Sequence, residues 1–129
     1  MNTFFVSRAR SFRFAFAGLW YVLRTQRNAW IHMLASVLVV LLAAWLRLDL
    51  VEWAVLILTI GSVWTAEFVN TALEAVVDLA SPTVHPLAKV GKDVGAAAVL
   101  IAALASVLIG LLILGPPLLS AVKSILRLP

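Results

Sequence analysis

Three long apolar stretches dominate the chain, each bounded by a short cluster of polar or charged residues. The first covers residues 29–46, carries His32 and Ser36 near its start, and stops at Arg47-Leu48-Asp49. The second opens near Trp53 and reads WAVLILTIGSVWTA before meeting Glu67. The third ends at Gly115-Pro116-Pro117. A helix rises about 1.5 Å per residue and needs about 20 residues to cross the hydrocarbon of a bilayer. The first and third stretches meet that length. The second supplies only 14 residues, about 21 Å. A spanning helix that starts at Trp53 must therefore continue to about Ala72, taking Glu67 and Asn70 into the edge of the membrane. Spans are expected at about 29–46, 53–79 and 93–115. A surface tail over 116–129 should follow, because two adjacent prolines cannot continue the helical ladder.

Ahead of the first span, RARSFRFAFAGLWYVLRTQRN mixes five arginines with Phe12, Phe14, Phe16, Leu19, Trp20 and Tyr21. That pattern predicts an amphipathic helix over about 5–27 that lies in the interface with its aromatics turned toward lipid. The expected fold is thus all-α and integral to the membrane, with three transmembrane helices, one N-terminal interfacial helix and a single domain over 1–129. Three helices enclose little interior, so self-association into a homo-oligomer is expected. A small-residue stripe at Ala98, Ala102, Ser106 and Gly110 suits close helix packing.

Composition agrees. Hydrophobic residues make up 64% of the chain and charged ones 12%, against about 45–50% apolar in soluble domains. Cysteine is absent, which excludes disulfides, thiolate metal sites and cysteine nucleophiles. The net charge of +4 comes from cations that flank apolar runs, a distribution suited to anionic headgroups and not to nucleic acid. Arg8, Arg10, Arg13, Arg24, Arg27, Lys89 and Lys92 fall on one side of the membrane, and Arg47, Lys123 and Arg127 on the other. The amino terminus and the loop before the third span are therefore expected in the cytoplasm. The first apolar run is too long for a signal-peptide core and reads as a retained span.

The candidate chemistry lies in EFVNTALEAVVD, residues 67–78. At about 100° per residue, Glu67, Asn70, Glu74 and Asp78 share a helical stripe roughly 80° wide. Glu67 and Glu74 are about 10 Å apart along the axis. One carboxylate then sits at the depth of a lipid hydroxyl, the other where a soluble phosphate compound can reach. An ionisable group inside the membrane is costly and points to function. Lys92 and Asp93, in GKDVG just before the third span, add a cation, a carboxylate and helix-start N–H groups, all phosphate-binding elements. His32 and His85 have no partner spacing, so neither is expected to hold a metal.

EFVNTALEAVVD followed by HPLAKVGKDVGAAAVL resembles the prokaryotic diacylglycerol kinase family, which includes the undecaprenol kinases; the likeness extends over roughly residues 10–115. Glu67, Asn70, Thr71, Ala72 and Glu74 match the family core, and Lys92-Asp93 its lysine-aspartate pair. The resemblance implies a small trimeric membrane kinase that uses ATP and Mg²⁺ to phosphorylate a lipid hydroxyl at the cytoplasmic face of the bacterial inner membrane. It makes Glu67 the general base and Asn70 a residue that orients groups beside it. Glu74 would bind Mg²⁺ with the nucleotide, Lys92 and Asp93 would contact phosphate or ribose, and Thr83, Val84 and His85 would border the nucleotide. Asp78 is a supporting residue on the same stripe. Many members have a second metal-binding glutamate where this chain has Gln26; an amide oxygen lacks the charge that Mg²⁺ prefers, so weaker metal binding is expected. HPLAK and TQRN look closer to the undecaprenol kinase branch, while diacylglycerol and undecaprenol both stay open as substrates. The alternative from another class is a noncatalytic or proton- or ion-transporting membrane subunit using Glu67, which leaves Glu74, Lys92 and Asp93 unexplained.

Overall fold

The computed structural model describes residues 2–126, so Arg127 of the expected tail lies outside the described residues. Four helices follow one another: α1 Asn2–Thr25, α2 Arg27–Leu46, α3 Leu50–Ala80 and α4 Pro86–Leu126. The described residues contain no strand. The last three helices are long and apolar enough to cross a membrane.

Each junction has a local cause. Gln26 adopts an extended conformation (φ −102°, ψ 117°) between α1 and α2, while its N–H still bonds the Val22 carbonyl at 2.9 Å. One residue thus makes an elbow, and Val22 and Ala29 on either side of it in the chain are buried. Arg47 closes α2 in the left-handed region (φ 56°), the conformation that ends many helices. Asp49 then starts α3 through a capping box, its carboxylate accepting from the N–H groups of Val51 and Glu52 at 2.8 Å each. Glu52 accepts in return from the Asp49 N–H at 2.9 Å. The polar turn that ends the first span is therefore also the device that begins the second, three residues before Trp53. At the start of α4, Pro86 takes the first helical position, where a missing N–H costs nothing. Its neighbour His85 accepts the Leu87 N–H on Nδ1 at 3.2 Å.

α2 and α3 run antiparallel in one register that three pairs report. Gln26 meets Glu74, His32 faces Glu67, and Trp64 donates to Ser36 Oγ at 3.2 Å. Each step down α2 is matched by an equal step up α3. α4 packs chiefly along α3, and α1 touches α2 and α3 at the elbow. The apolar core proper is small: Ala43, Leu56 and Leu114 are buried together beside the α2–α3 turn. Most apolar side chains face outward, as solvation by lipid requires.

Helix α4 differs from its expected bounds at both ends. It begins seven residues before position 93 and continues through Pro116 and Pro117 to Leu126, so the expected tail over 116–129 is helical across its described part. Its 41 residues extend about 61 Å, twice what the hydrocarbon needs. Counted from Lys92, the prolines lie about 36 Å along the helix, past the hydrocarbon core, and the Leu112 and Ile113 carbonyls deprived of their N–H donors fall at its edge, where water can bond them.

The capping box gives a stability prediction: Asp49→Ala removes two acceptor contacts at the start of α3 and costs about 1 kcal/mol, seen as a lower thermal midpoint in detergent. An unchanged midpoint would remove the cap from the account.

Candidate functional site

The stripe on α3 becomes a site because α2 and α4 close over it at different depths. Glu67 is the deepest member. Its side chain is 1% exposed, making it the largest fully buried side chain among the described residues. Asn70 is also buried, Glu74 is half-buried, and Asp78 is exposed, so the stripe runs from interior to surface. Thr71 Oγ1 donates to the Glu67 carbonyl at 2.9 Å and so uses its own hydroxyl locally.

Glu74 is held by two amides. Gln26 Nε2 donates to its Oε2 at 3.1 Å and Asn70 Nδ2 to its Oε1 at 3.3 Å. Gln26 occupies this position because the elbow places it at the top of α2, level with Glu74 in the antiparallel register. Deeper in the site, His32 Nε2 stands 3.8 Å from Glu67 Oε2. Those two atoms and Asn70 Oδ1 are buried and make no hydrogen bond. Buried polar groups are nearly always paired, so three unpaired atoms in one cavity mark a place built to receive polar atoms from elsewhere. Gln26, His32, Glu67, Asn70 and Glu74 line that cavity together, with Val99 among the α4 residues.

From the α4 side, Gly95 permits the close approach. A Cβ at this position would collide with Asn70 Oδ1 and lie 3.2 Å from Leu73 Cδ2. Glycine there lets α4 lie against the Asn70 amide without displacing it.

The remaining predicted residues divide. Thr83, Val84, His85, Lys92 and Asp78 line a second, more superficial cavity beside the α3–α4 loop, joined by Lys89. Lys92 forms an ion pair with Asp78 across α3 and α4. Asp93 lines neither cavity and pairs with Lys89 on the exposed side of α4. Neighbours on a helix point about 100° apart, so Lys92 and Asp93 do not face one target within this chain. No group of three or more His, Cys, Asp or Glu side chains among the described residues makes a ready metal cage.

Sequence reasoning left out His32 and Gly95. The signal for His32 was present: it lies six residues below Gln26 on α2, as Glu67 lies seven below Glu74 on α3. An antiparallel hairpin closed at Arg47 to Asp49 places both pairs at equal depths. Nothing in the sequence distinguishes Gly95 from other helical glycines until α4 is docked.

Residues 13–114 match the model of the prokaryotic diacylglycerol kinase family. Among curated relatives, a diacylglycerol kinase of Synechocystis sp. is 50% identical over 111 residues, covering 85% of this chain and 63% of the relative. The undecaprenol kinase of Bacillus subtilis is 41% identical over 118 residues, covering 92% of this chain and 93% of the relative. The diacylglycerol kinase of Escherichia coli is 38% identical over 89 residues, covering 64% of this chain and 73% of the relative. The chain thus spans less than two thirds of the Synechocystis relative and nearly all of the Bacillus one.

A buried carboxylate with an unpaired oxygen is a stability liability, since an unmade hydrogen bond costs about 1–3 kcal/mol. Glu67→Leu, of similar volume and without the polar atoms, is expected to raise the thermal midpoint of the ligand-free protein in detergent. A lowered midpoint would show that Glu67 is held by partners that stabilise the fold.

Proposed function

The chain belongs to the prokaryotic diacylglycerol kinase family, and we propose that it is a membrane lipid kinase that moves the γ-phosphate of ATP to a lipid hydroxyl. The acceptor is diacylglycerol or undecaprenol, the two alcohols in the names of its relatives. The observation that carries this reading is the graded stripe on α3. Glu67 is buried with a free oxygen, and Glu74 lies about two turns nearer the surface with its carboxylate oriented by two amides. A lipid hydroxyl reaches the first and a nucleotide phosphate the second.

Phosphoryl transfer asks a protein mainly to position its reactants and neutralise charge. Glu67 Oε2 takes the proton of the lipid hydroxyl as that oxygen bonds to the γ-phosphorus. The bond from the γ-phosphorus to its bridging oxygen breaks, and ADP leaves with the electron pair. Asn70, anchored to Glu74 through Nδ2, is buried beside Glu67 with its Oδ1 against Gly95 of α4 and free of any hydrogen bond. Lys92 and the segment Thr83, Val84 and His85 border the nucleotide at the second cavity. In the single chain Asp93 stands apart from that cavity; a role for it at the nucleotide is proposed on the family resemblance alone.

The donor set suits a magnesium ion that arrives with its nucleotide. Mg²⁺ is commonly bound by one or two carboxylates plus substrate phosphates, and here Glu74 supplies the carboxylate while Gln26 and Asn70 supply carboxamides on either side of it. Bound there with phosphate oxygens, it would neutralise charge on the transferring group.

The family resemblance and the meagre interior support a homotrimer in which copies share sites. The cation count supports an inner-membrane protein with its amino terminus, site and α3–α4 loop in the cytoplasm. The aromatics of α1, with Phe12, Phe14 and Phe16 outward and Arg24 stacked 4.7 Å over Trp20, suit an interfacial helix.

Purified protein in mixed micelles, given labelled ATP and each lipid separately, tests the reading and names the acceptor. Label is expected in one lipid class, falling about 10²–10⁴-fold in Glu67→Gln as expected for loss of a general base. Proton leak without labelled lipid would favour the transport subunit. In the same assay Gln26→Glu replaces an amide by a second carboxylate and should lower the Mg²⁺ concentration for half-maximal rate severalfold. An unchanged requirement would mean that residue 26 does not face the metal.

A further inference from the structure

His32 has no part in the mechanism above, yet it stands where two cavities meet. It lines the polar cavity with Glu67, Asn70 and Glu74. It also lines a mainly apolar slot that continues toward the α2–α3 turn, walled by Val39, Leu56 and Val63 among others and by the hydroxyl residues Ser36, Thr59 and Ser106. Its ring is only 14% exposed and its Nε2 has no hydrogen-bond partner. Glu67 Oε2 is 3.8 Å away, beyond the about 3.2 Å limit of a direct bond. The Glu67 oxygen is unpaired as well.

Such a gap fits a hydroxyl. An oxygen about 2.8 Å from each atom forms the apex of a triangle on this base, accepting from the imidazole and donating to the carboxylate. Resting on the lipid kinase reading, we propose that His32 is the second anchor of the acceptor alcohol. Its Nε2–H donates to the lipid oxygen while the hydroxyl hydrogen points at Glu67 Oε2, and the apolar chain attached to the alcohol enters the slot below. During transfer the hydroxyl proton goes to Glu67, the new oxygen–phosphorus bond forms, and ADP departs with the electrons of the broken bond. His32 keeps its proton throughout. Both the neutral tautomer protonated on Nε2 and the imidazolium carry the required N–H. His32 therefore fixes the attacking oxygen in line with the base and selects for a hydroxylated lipid end.

The test separates this role from packing. At saturating Mg-ATP in mixed micelles, His32→Leu is expected to lower kcat/KM for the lipid roughly 10–100-fold, the loss of one hydrogen bond to a reacting group. The KM for Mg-ATP should stay within about twofold, since the nucleotide lies beyond Glu74. His32→Gln, which keeps an N–H near the same place, should recover most of the loss. A His32→Leu enzyme within about threefold of wild type, equal damage in Leu and Gln variants, or a matching rise in the KM for Mg-ATP would each overturn the assignment. If the wild-type protein labels no lipid at all, the kinase reading falls with it. A second measurement needs no variant: in wild-type protein labelled with ¹⁵N-histidine, the His32 Nε2 resonance should shift on adding the lipid alcohol without nucleotide, and stay put with a hydrocarbon analogue lacking the hydroxyl. An unmoved resonance with the alcohol would refute the contact.

Discussion

Keeping the Glu67 carboxylate at the edge of the hydrocarbon, out of contact with bulk water, is the constraint to which the surrounding helices answer. A charge at the centre of a membrane helix costs about 2.5–3.5 kcal/mol even on the most lenient scale. The chain meets that cost by enclosing the side chain between α2 and α4. α3 must be long enough to carry Glu67 below the surface and still emerge, which its 31 residues allow. α2 must return antiparallel so that His32 arrives level with it, and the Arg47 and Asp49 caps set that register. α4 must come close enough to cover Asn70, which Gly95 permits. With so little apolar core elsewhere, the packing of this small protein is organised around a polar centre.

Depth is what the arrangement encodes. One face of α3 carries acidic and amide groups at successive levels, and the helices beside it supply a partner at each: His32 near Glu67, Gln26 at Glu74, Lys92 at Asp78. A membrane alcohol and a water-soluble phosphate donor differ first in the depth at which they are found. On the proposed kinase reading, lining them up on one helix would remove much of the entropic obstacle to their meeting, leaving a base and charge neutralisation as the chemistry still to be supplied.

How far the sequence disclosed this depends on the range of the interactions involved. The second apolar run is too short to span alone, so Glu67 and Asn70 were placed in the membrane by arithmetic on helix length, and α3 indeed runs past both to Ala80. The polar turn at Arg47-Leu48-Asp49 was equally plain, because helix ends are local. Pro116 and Pro117 misled for the same local reason: their cost depends on whether water can reach the freed carbonyls, which is a matter of position along α4. His32 and Gly95 matter through helix pairing, and no short window of sequence carries that. The separation of Lys92 from Asp93 follows from where α4 docks, though their adjacency in sequence suggested a common target.

Whether His32 and Glu67 face one another across α2 and α3 in a bilayer is open to direct measurement by solid-state NMR dipolar recoupling between ¹⁵N-histidine and ¹³C-glutamate. The chain has two histidines, and His85 lies in the loop region at the start of α4, so a short imidazole-to-carboxyl distance can be assigned. The account predicts one coupling between His32 Nε2 and the Glu67 carboxyl carbon in lipid-reconstituted protein, consistent with the 3.8 Å nitrogen-to-oxygen separation. Absence of that coupling, with the helices still folded, would mean that the buried polar centre does not exist as described.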